Sequence, residues 1–584
     1  MKVSLKTGGS LIVLAGLASA AMATPAKAQD AAQIKAIQSQ IQLLQKQLQS
    51  LQVESARRDA ELKRAQDEAA AARAAAAQAQ VTTPAASLSV PSTVPAGSAI
   101  VTIPPNDKDA AGKPFFNANK PNGKFNLGGV TVTLGGFIDL TGLYRSRNEN
   151  DGVATSFASG IPYPNSPNYR TGEIRATAQQ SRISGLLQGS PYDGAVVSGY
   201  AEADFQSAGS SSNSQQTNSY TLRIRQAYAQ FDDSNDNLHV LGGQAWSFLT
   251  PFKSGLTPRS ENVPPVLENS IVQGFAYARQ PQVRISTDYE SVAFFGLSVE
   301  APQSTFSGTK PGITGALLDA TSVGYPGTTA TSNTGGTTGT YNNAGTIAGG
   351  GLNPVTTYSY NTLPDFIAKT AIEPGFGHYE LYGILRFFKD EKITVGDSGD
   401  LTSTGGGLGA SAFVSVVPGL IDVSGNILAG YGIGRYGSAG LPDATYKANG
   451  SPQPLPEVEA MLGVVGHVTP KLDLYTYGGI EEEERKYGTV GGAAYGYGNP
   501  AFSNAGCSVI SSSATAQTTC TANTRSSTGV QIGGWYKLFQ SGIGTLQTGA
   551  SYEWNQRAIF NGVGGAPSVN ENVFLLTLRY LPFQ

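Results

Sequence analysis

The chain has 584 residues, of which only 14 % are charged and 40 % hydrophobic, with 72 glycines, two cysteines and a formal net charge of −3. Soluble domains carry roughly 25 % charge and about 7 % glycine, so a conventional multidomain enzyme is disfavoured. Apart from residues 11–18 there is no long apolar run, whereas a membrane helix needs roughly 20 such residues, so a bundle of membrane helices is excluded. A membrane β-barrel fits the profile, because its strands alternate faces and never build an apolar run.

Lys2 and Lys6 precede the apolar stretch, and Ala26-Lys27-Ala28 supplies small residues two apart, so 1–28 reads as a secretory signal cut before Gln29. The mature chain is then more acidic, which argues against a nucleic-acid partner. Residues 29–80 form the second segment. Ile34, Ile37, Ile41, Leu44, Leu48 and Leu51 recur at alternating spacings of three and four, the a/d stripe of a coiled coil. The stripe weakens at Ser55 and Arg58 and continues as alanine. Isoleucine at both early core positions leans towards three strands; the alternative is a single helix lying on the barrel. Residues 81–128 are a linker, broken by Pro84, Pro91, Pro95, Pro104, Pro105 and Pro114.

Residues 129–584 read as an all-β transmembrane barrel of 16 antiparallel strands, with the α-helical coiled coil as its N-terminal stalk. In the first strand Val130, Val132, Leu134, Ile138 and Leu140 share one face, and Thr131, Thr133, Asp139, Thr141 and Arg145 the other. The same pattern places strands near 130–145, 174–188, 194–206, 220–231, 237–248, 281–289, 293–300, 364–373, 377–388, 404–416, 420–434, 456–468, 471–484, 527–539, 543–557 and 572–583. Connections after even-numbered strands are tight, as at Ser190-Pro191-Tyr192-Asp193, Pro374-Gly375 and Pro418-Gly419. Those after odd-numbered strands are long, the longest being 301–363. That alternation puts both chain ends in the periplasm. The last strand carries Phe574, Leu576, Leu578 and Tyr580 on one face and ends Phe583-Gln584, near to an outer-membrane assembly signal.

Parity sends Arg182, Arg223, Arg225, Arg284 and Arg386 into the lumen, with Glu202 and Asp204 on the third strand as a facing acidic rung. The alternative is that these charges pair with one another and only solvate the interior. Loop 249–280, with Lys253, Arg259, Glu261 and Glu268, is a candidate for folding inward; an ordinary surface loop is the competing reading. Glu481 to Glu484 read as a solvated strand end rather than a cation bridge to lipopolysaccharide. His239, His378 and His467 read as lone strand residues. Cys507 and Cys520 are most simply a disulfide in an exported chain, with free thiols as the alternative. No enzyme signature is present, and the reading requires no cofactor and no metal.

Signal, coiled coil, proline-rich linker and barrel together resemble the DcaP-type porins of Gram-negative outer membranes. Local strand motifs share the resemblance: Gln180-Ser181-Arg182, Leu222-Arg223-Ile224-Arg225-Gln226-Ala227-Tyr228, Gly243-Gln244-Ala245-Trp246-Ser247 and Arg279-Gln280-Pro281-Gln282-Val283-Arg284. The resemblance implies a homotrimer in outer-membrane lipid and lipopolysaccharide, with passive diffusion of small hydrophilic solutes, often anions such as dicarboxylates. The stalk is also similar to that of phosphate-selective porins and is a candidate for cell-wall contact. A tether or adhesin using stalk and loops is the competing function, and a lipid-acting barrel enzyme a third.

Overall fold

The computed structural model describes Lys46, Lys63 and residues 123–583, with breaks at 150–151, 155–156, 158–159, 207–219, 313–315, 319–328, 333–338, 343–360, 395–396 and 511–518. The signal, the stalk core from Ile34 to Leu51 and nearly all of the linker lie outside the described residues.

Sixteen antiparallel strands follow in order: β1 Val130–Arg145, β2 in two pieces Glu173–Thr177 and Arg182–Gly189, β3 Ala195–Asp204, β4 Arg223–Asp233, β5 Leu238–Trp246, β6 Arg279–Tyr289, β7 Ala293–Glu300 and β8 Asp365–Ile372. The second half comprises β9 His378–Thr394, β10 Asp397–Val417, β11 Ile421–Tyr431, β12 Pro456–Thr469, β13 Leu472–Glu483, β14 Thr524–Ser541, β15 Gly544–Ile559 and β16 Ser568–Leu581. Each strand pairs with the next, and β16 pairs back to β1 from Ile138↔Tyr580 to Arg145↔Val573, which closes the barrel.

The period-2 pattern sets the two faces. Ile138 (65 % exposed), Leu140 and Leu134 point outward from β1, while Asp139, Thr141 and Arg145 are at most 1 % exposed inside. Leu408, Leu576 and Ile183 continue the outer apolar surface. Such a surface is stable only in lipid, and closure leaves no strand edge unsatisfied there.

Three departures from the sequence pattern have local causes. Lys124–Leu127, assigned above to the linker, is a strand paired to β1 from Lys124↔Thr133 to Leu127↔Val130. Strand β2 is interrupted between Thr177 and Arg182, where Gln180 turns inward and its amide donates to Leu267 O and Glu268 Oε2. The connection between β9 and β10 is short, because both strands run on as a projecting hairpin, pairing as far as Thr394↔Asp397.

Candidate functional site

Large apolar side chains occupy inward positions that water alone would not favour: Ile367 on β8, Tyr382 and Ile384 on β9, Tyr475 and Tyr477 on β13, and Trp535 on β14 are all buried. What covers them is the segment 247–278. It leaves the end of β5, enters the barrel and lies along the inner wall. Phe248, Leu249, Phe252 and Leu256 pack on Ile367, Tyr382 and Ile384. Farther on, Val266, Leu267, Ile271, Val272 and Phe275 pack on Tyr475, Tyr477 and Trp535. Each such side chain contributes roughly 1.5–3 kcal/mol, enough together to hold a loop with little regular structure beyond a single 3-10 turn at Asn269–Ile271.

Wall carboxylates tether the loop by its backbone. Glu300 accepts from Phe248 N at 2.7 Å, Glu380 from Phe252 N at 3.1 Å, Glu373 from Gly255 N at 2.6 Å and Glu481 from Gly274 N at 2.8 Å. Lys369 Nζ donates to Thr250 O at 2.9 Å and pairs with Glu380 at 3.0 Å, both side chains fully buried. On the far side Trp535 Nε1 donates to Pro265 O at 2.9 Å and Gln273 Nε2 to Asn555 Oδ1 at 2.8 Å. Glycine makes room for this contact, since a β-carbon at Gly479 on β13 would collide with Gln273 O. Within the loop, burial acts to raise the Glu268 carboxyl, but hydrogen bonds from Ser270, Gln206 and Gln180 hold it below the usual range.

The inward charges fall into three groups. Glu202 and Asp204 do not face the arginines from across the lumen. The β3–β4 register places Asp204 opposite Arg223, so Arg223 grips Asp204 at 2.9 and 2.8 Å, and Arg225 reaches Glu202 at 2.5 Å and Asp204 at 2.7 Å. This is the pairing alternative, and it replaces the facing rung. Arg284 and Arg386 are sealed in the wall. Arg284 donates to Trp246 O at 2.8 Å beneath Phe248, and Arg386 bonds Asp365 and Asp443 while donating to Gly432 O. Both are at most 2 % exposed.

Arg182 and Arg279 form the third group. Among the described residues neither has an ion pair; Arg182 lies over Phe137 at 5.3 Å, and Arg279 over Trp246 at 4.8 Å. On the loop, Lys253 and Arg259 are exposed, and Glu261 Oε2 accepts from Arg259 N at 2.8 Å. A cavity of about 360 Å³ remains beside the loop, lined by Gln180, Arg182, Pro265, Trp535, Gln547 and Arg579 among others. Arg579 is held by Asp139 at 2.8 Å between the faces of Phe137 and Trp535. A smaller cavity of about 120 Å³ shares Pro265, Asp473 and Trp535 with it and reaches Lys253 and His467.

Two further sequence readings change. Glu481 and Glu483 are buried, opposite Glu459 and Glu457 in the β12–β13 register, so half of this run belongs to an inner-wall cluster, while Glu482 and Glu484 keep solvent exposure as expected of a strand end. Each histidine sits between two carboxylates and is no lone residue. Arg579, Lys369 and Glu380 are site residues that the sequence reading misses, although each is a charge at an inward strand position; Arg279 has the outward parity of β6, so strand period does not reveal it. Cys507 and Cys520 are bonded, closing a 13-residue separation in the β13–β14 connection.

No family model and no curated protein sequence matches this chain. Among solved structures, the outer membrane channel DcaP of Acinetobacter baumannii aligns at 17 % identity with a TM-score of 0.50, covering 78 % of this chain and 97 % of that one. An anion-selective porin from Comamonas acidovorans aligns at 10 % identity (TM-score 0.39, 77 % and 99 % covered). OmpF of Salmonella typhi, solved with daunomycin, aligns at 8 % (TM-score 0.40, 78 % and 99 % covered). These neighbours are outer-membrane porins, and the likeness to the Acinetobacter channel shows that this chain has the 16-strand barrel fold of that protein.

Proposed function

We propose that the chain is an outer-membrane porin of the DcaP type, each protomer a channel for passive diffusion of small hydrophilic solutes that favours anions such as dicarboxylates. The observation that carries this reading is the cavity of about 360 Å³ beside the inward loop, with Arg182 and Arg579 on its wall together with Glu268 and Asp473. A cation without a carboxylate partner in a narrow lumen attracts carboxylate or phosphate strongly. Arg182 and Arg279 are such cations, and Lys253 and Arg259 add exposed charge on the loop. Arg223 and Arg225 with Glu202 and Asp204 form a nearly balanced strip on the same wall. Arg284 and Arg386 act as braces.

In this reading residues 1–28 direct export, and the short-turn end of the barrel faces the periplasm. Residues 29–80 zip three protomers through Ile34, Ile37, Ile41, Leu44, Leu48 and Leu51, with 81–128 as the linker. The outer apolar face meets lipid, the long-loop end meets lipopolysaccharide, and the stalk is free to touch the cell wall. The fold likeness to an outer membrane channel supports the reading.

Purified protein in planar bilayers tests it. Stepwise conductance is expected, with a reversal potential in a KCl gradient that indicates anion preference, and deletion of residues 34–80 should loosen the trimer while conductance persists. Bilayers that stay silent would overturn the porin reading, and cation preference would overturn the solute class.

A further inference from the structure

The chain has three histidines, and all three stand on the inner face at the short-turn end of the barrel, each bridging two carboxylates. His239, near the start of β5, has Nδ1 2.7 Å from Asp232 Oδ1 on β4 and Nε2 3.6 Å from Asp288 Oδ2 on β6. His467, near the end of β12, has Nδ1 2.7 Å from Asp473 Oδ1 on β13 and Nε2 3.2 Å from Asp422 Oδ2 on β11. The construction repeats. In each case one aspartate is the direct register partner of the histidine, Asp232↔His239 and His467↔Asp473, and the second comes from the strand on its other side.

Strands β5 and β12 are seven places apart in a closed ring of sixteen, so the two triads face each other from nearly opposite walls. Both are open to the lumen: the His239 and His467 side chains are 24 % and 37 % exposed, and their aspartates between 16 % and 26 %. His378 differs. It lies between Glu373 and Glu380 at 2.9 and 3.1 Å, is 1 % exposed, and its carboxylates already hold the backbone of the inward loop. Other charges near the open pair are few. Lys537 on β14 stands 3.8 Å from Asp473, and Lys253 of the loop lines the small cavity beside His467. At His239 the ion-pair contacts among the described residues are Asp232 and Asp288 alone.

We propose that His239 and His467 are specificity-determining residues of the short-turn mouth. A neutral imidazole leaves its two aspartates to hold the mouth negative. An imidazolium cancels half of that charge. Because imidazole ordinarily changes charge between about pH 5 and 8, the mouth resists anions less strongly at the acid end of that range. Both triads act on the same aperture, so their effects reinforce each other. The inference rests on the porin reading and adds a titratable charge to that pore; at His467 it adjoins the arginines beside the loop, since Asp473 lines the same cavity as Arg182 and Arg579.

The test is the chloride-to-potassium permeability ratio of the purified full-length protein in a planar bilayer, measured from about pH 8 down to about pH 5.5. The ratio should rise about twofold on acidification, and the rise should come chiefly from buffer exchange on the short-turn side. The His239→Gln/His467→Gln double variant should lose at least half of the rise. Asp232→Asn/Asp422→Asn should show the elevated ratio already at the higher pH. A double histidine variant that keeps the full rise, or an aspartate variant with an unchanged ratio, would overturn the proposal. Channels that conduct without a histidine-dependent shift refute this inference alone, whereas absence of conductance refutes the porin reading beneath it.

Discussion

The inner wall along β6 to β9 and the inner wall formed by β14 to β16 with β1 to β4 carry the same residue types to different ends. On the first, Arg284, Lys369, Glu300 and Glu380 are at most 2 % exposed, and all are spent on the inward loop or on one another. On the second, Arg182, Arg223 and Arg579 keep open surface, and Arg182 and Arg579 border the cavity beside the loop. An inward-pointing charge is therefore not the same as a pore-lining charge. The apolar density around it decides which it becomes. Where Phe248, Phe252, Tyr382 and Ile384 gather, charge is enclosed and must pair; where glutamines and prolines line the gap, charge stays hydrated.

Breaking the sealed wall should give the largest effect. Lys369→Met removes the lysine partner of Glu380 in a fully buried setting and leaves His378 as its remaining basic contact; breaking such a pair typically costs about 3–5 kcal/mol, so the barrel should unfold from detergent at markedly lower temperature. Next comes reversal of charge at two arginines with no ion pair among the described residues, Arg182 on the open wall and Arg279 at the start of β6. Arg182→Glu with Arg279→Glu should lower the chloride-to-potassium permeability ratio by about tenfold without a comparable loss of thermal stability. Arg223→Ala should do less, about twofold or under, because Asp204 keeps Arg225 as a partner. Smallest of all is Lys389→Ala in the projecting hairpin. Its partner Asp400 is 62 % exposed, and exposed pairs contribute at most about 1 kcal/mol, so unfolding and conductance should both match the parent. If Lys369→Met proved as mild as Lys389→Ala, the contrast between sealed and open walls would collapse.

The barrel was largely readable because the lipid imposes a period that β1 follows through its middle, with Ile138 and Leu140 outside and Asp139 and Thr141 inside. Wherever the lipid ceased to act, the signal ceased too. Past Phe388 the sequence Lys389-Asp390-Glu391-Lys392 has no apolar face and reads as loop, yet hydrogen bonding to the neighbouring strand carries β9 to Thr394. The site was legible by parity alone: Arg182, Arg223, Arg225, Arg284 and Arg386 all point inward. Which of them stay open depends on contacts between residues far apart in sequence, such as Phe248 over Arg284, and no local pattern encodes these. A usable sign did exist. Tyr382, Ile384, Tyr475, Tyr477 and Trp535 are apolar at inward positions, and an apolar inner face in a polar lumen means that something covers it. The histidine triads, by contrast, depend on register between three strands, which single-strand periodicity does not give.

The central claim is an open passage between the inward loop and the wall that carries Gln547, with the opposite wall sealed. It is tested most directly by a single cysteine at each, Gln547→Cys and Ser298→Cys, treated with a charged methanethiosulfonate during single-channel recording. Both cysteines of the parent are tied in the Cys507–Cys520 bond, so the introduced thiol is the reactive one. Gln547 lines the cavity, whereas Ser298 is 2 % exposed behind the loop. Conductance should fall in steps for Gln547→Cys and hold steady for Ser298→Cys; equal block at both sites, or block at Ser298→Cys alone, would contradict the placement of the pore.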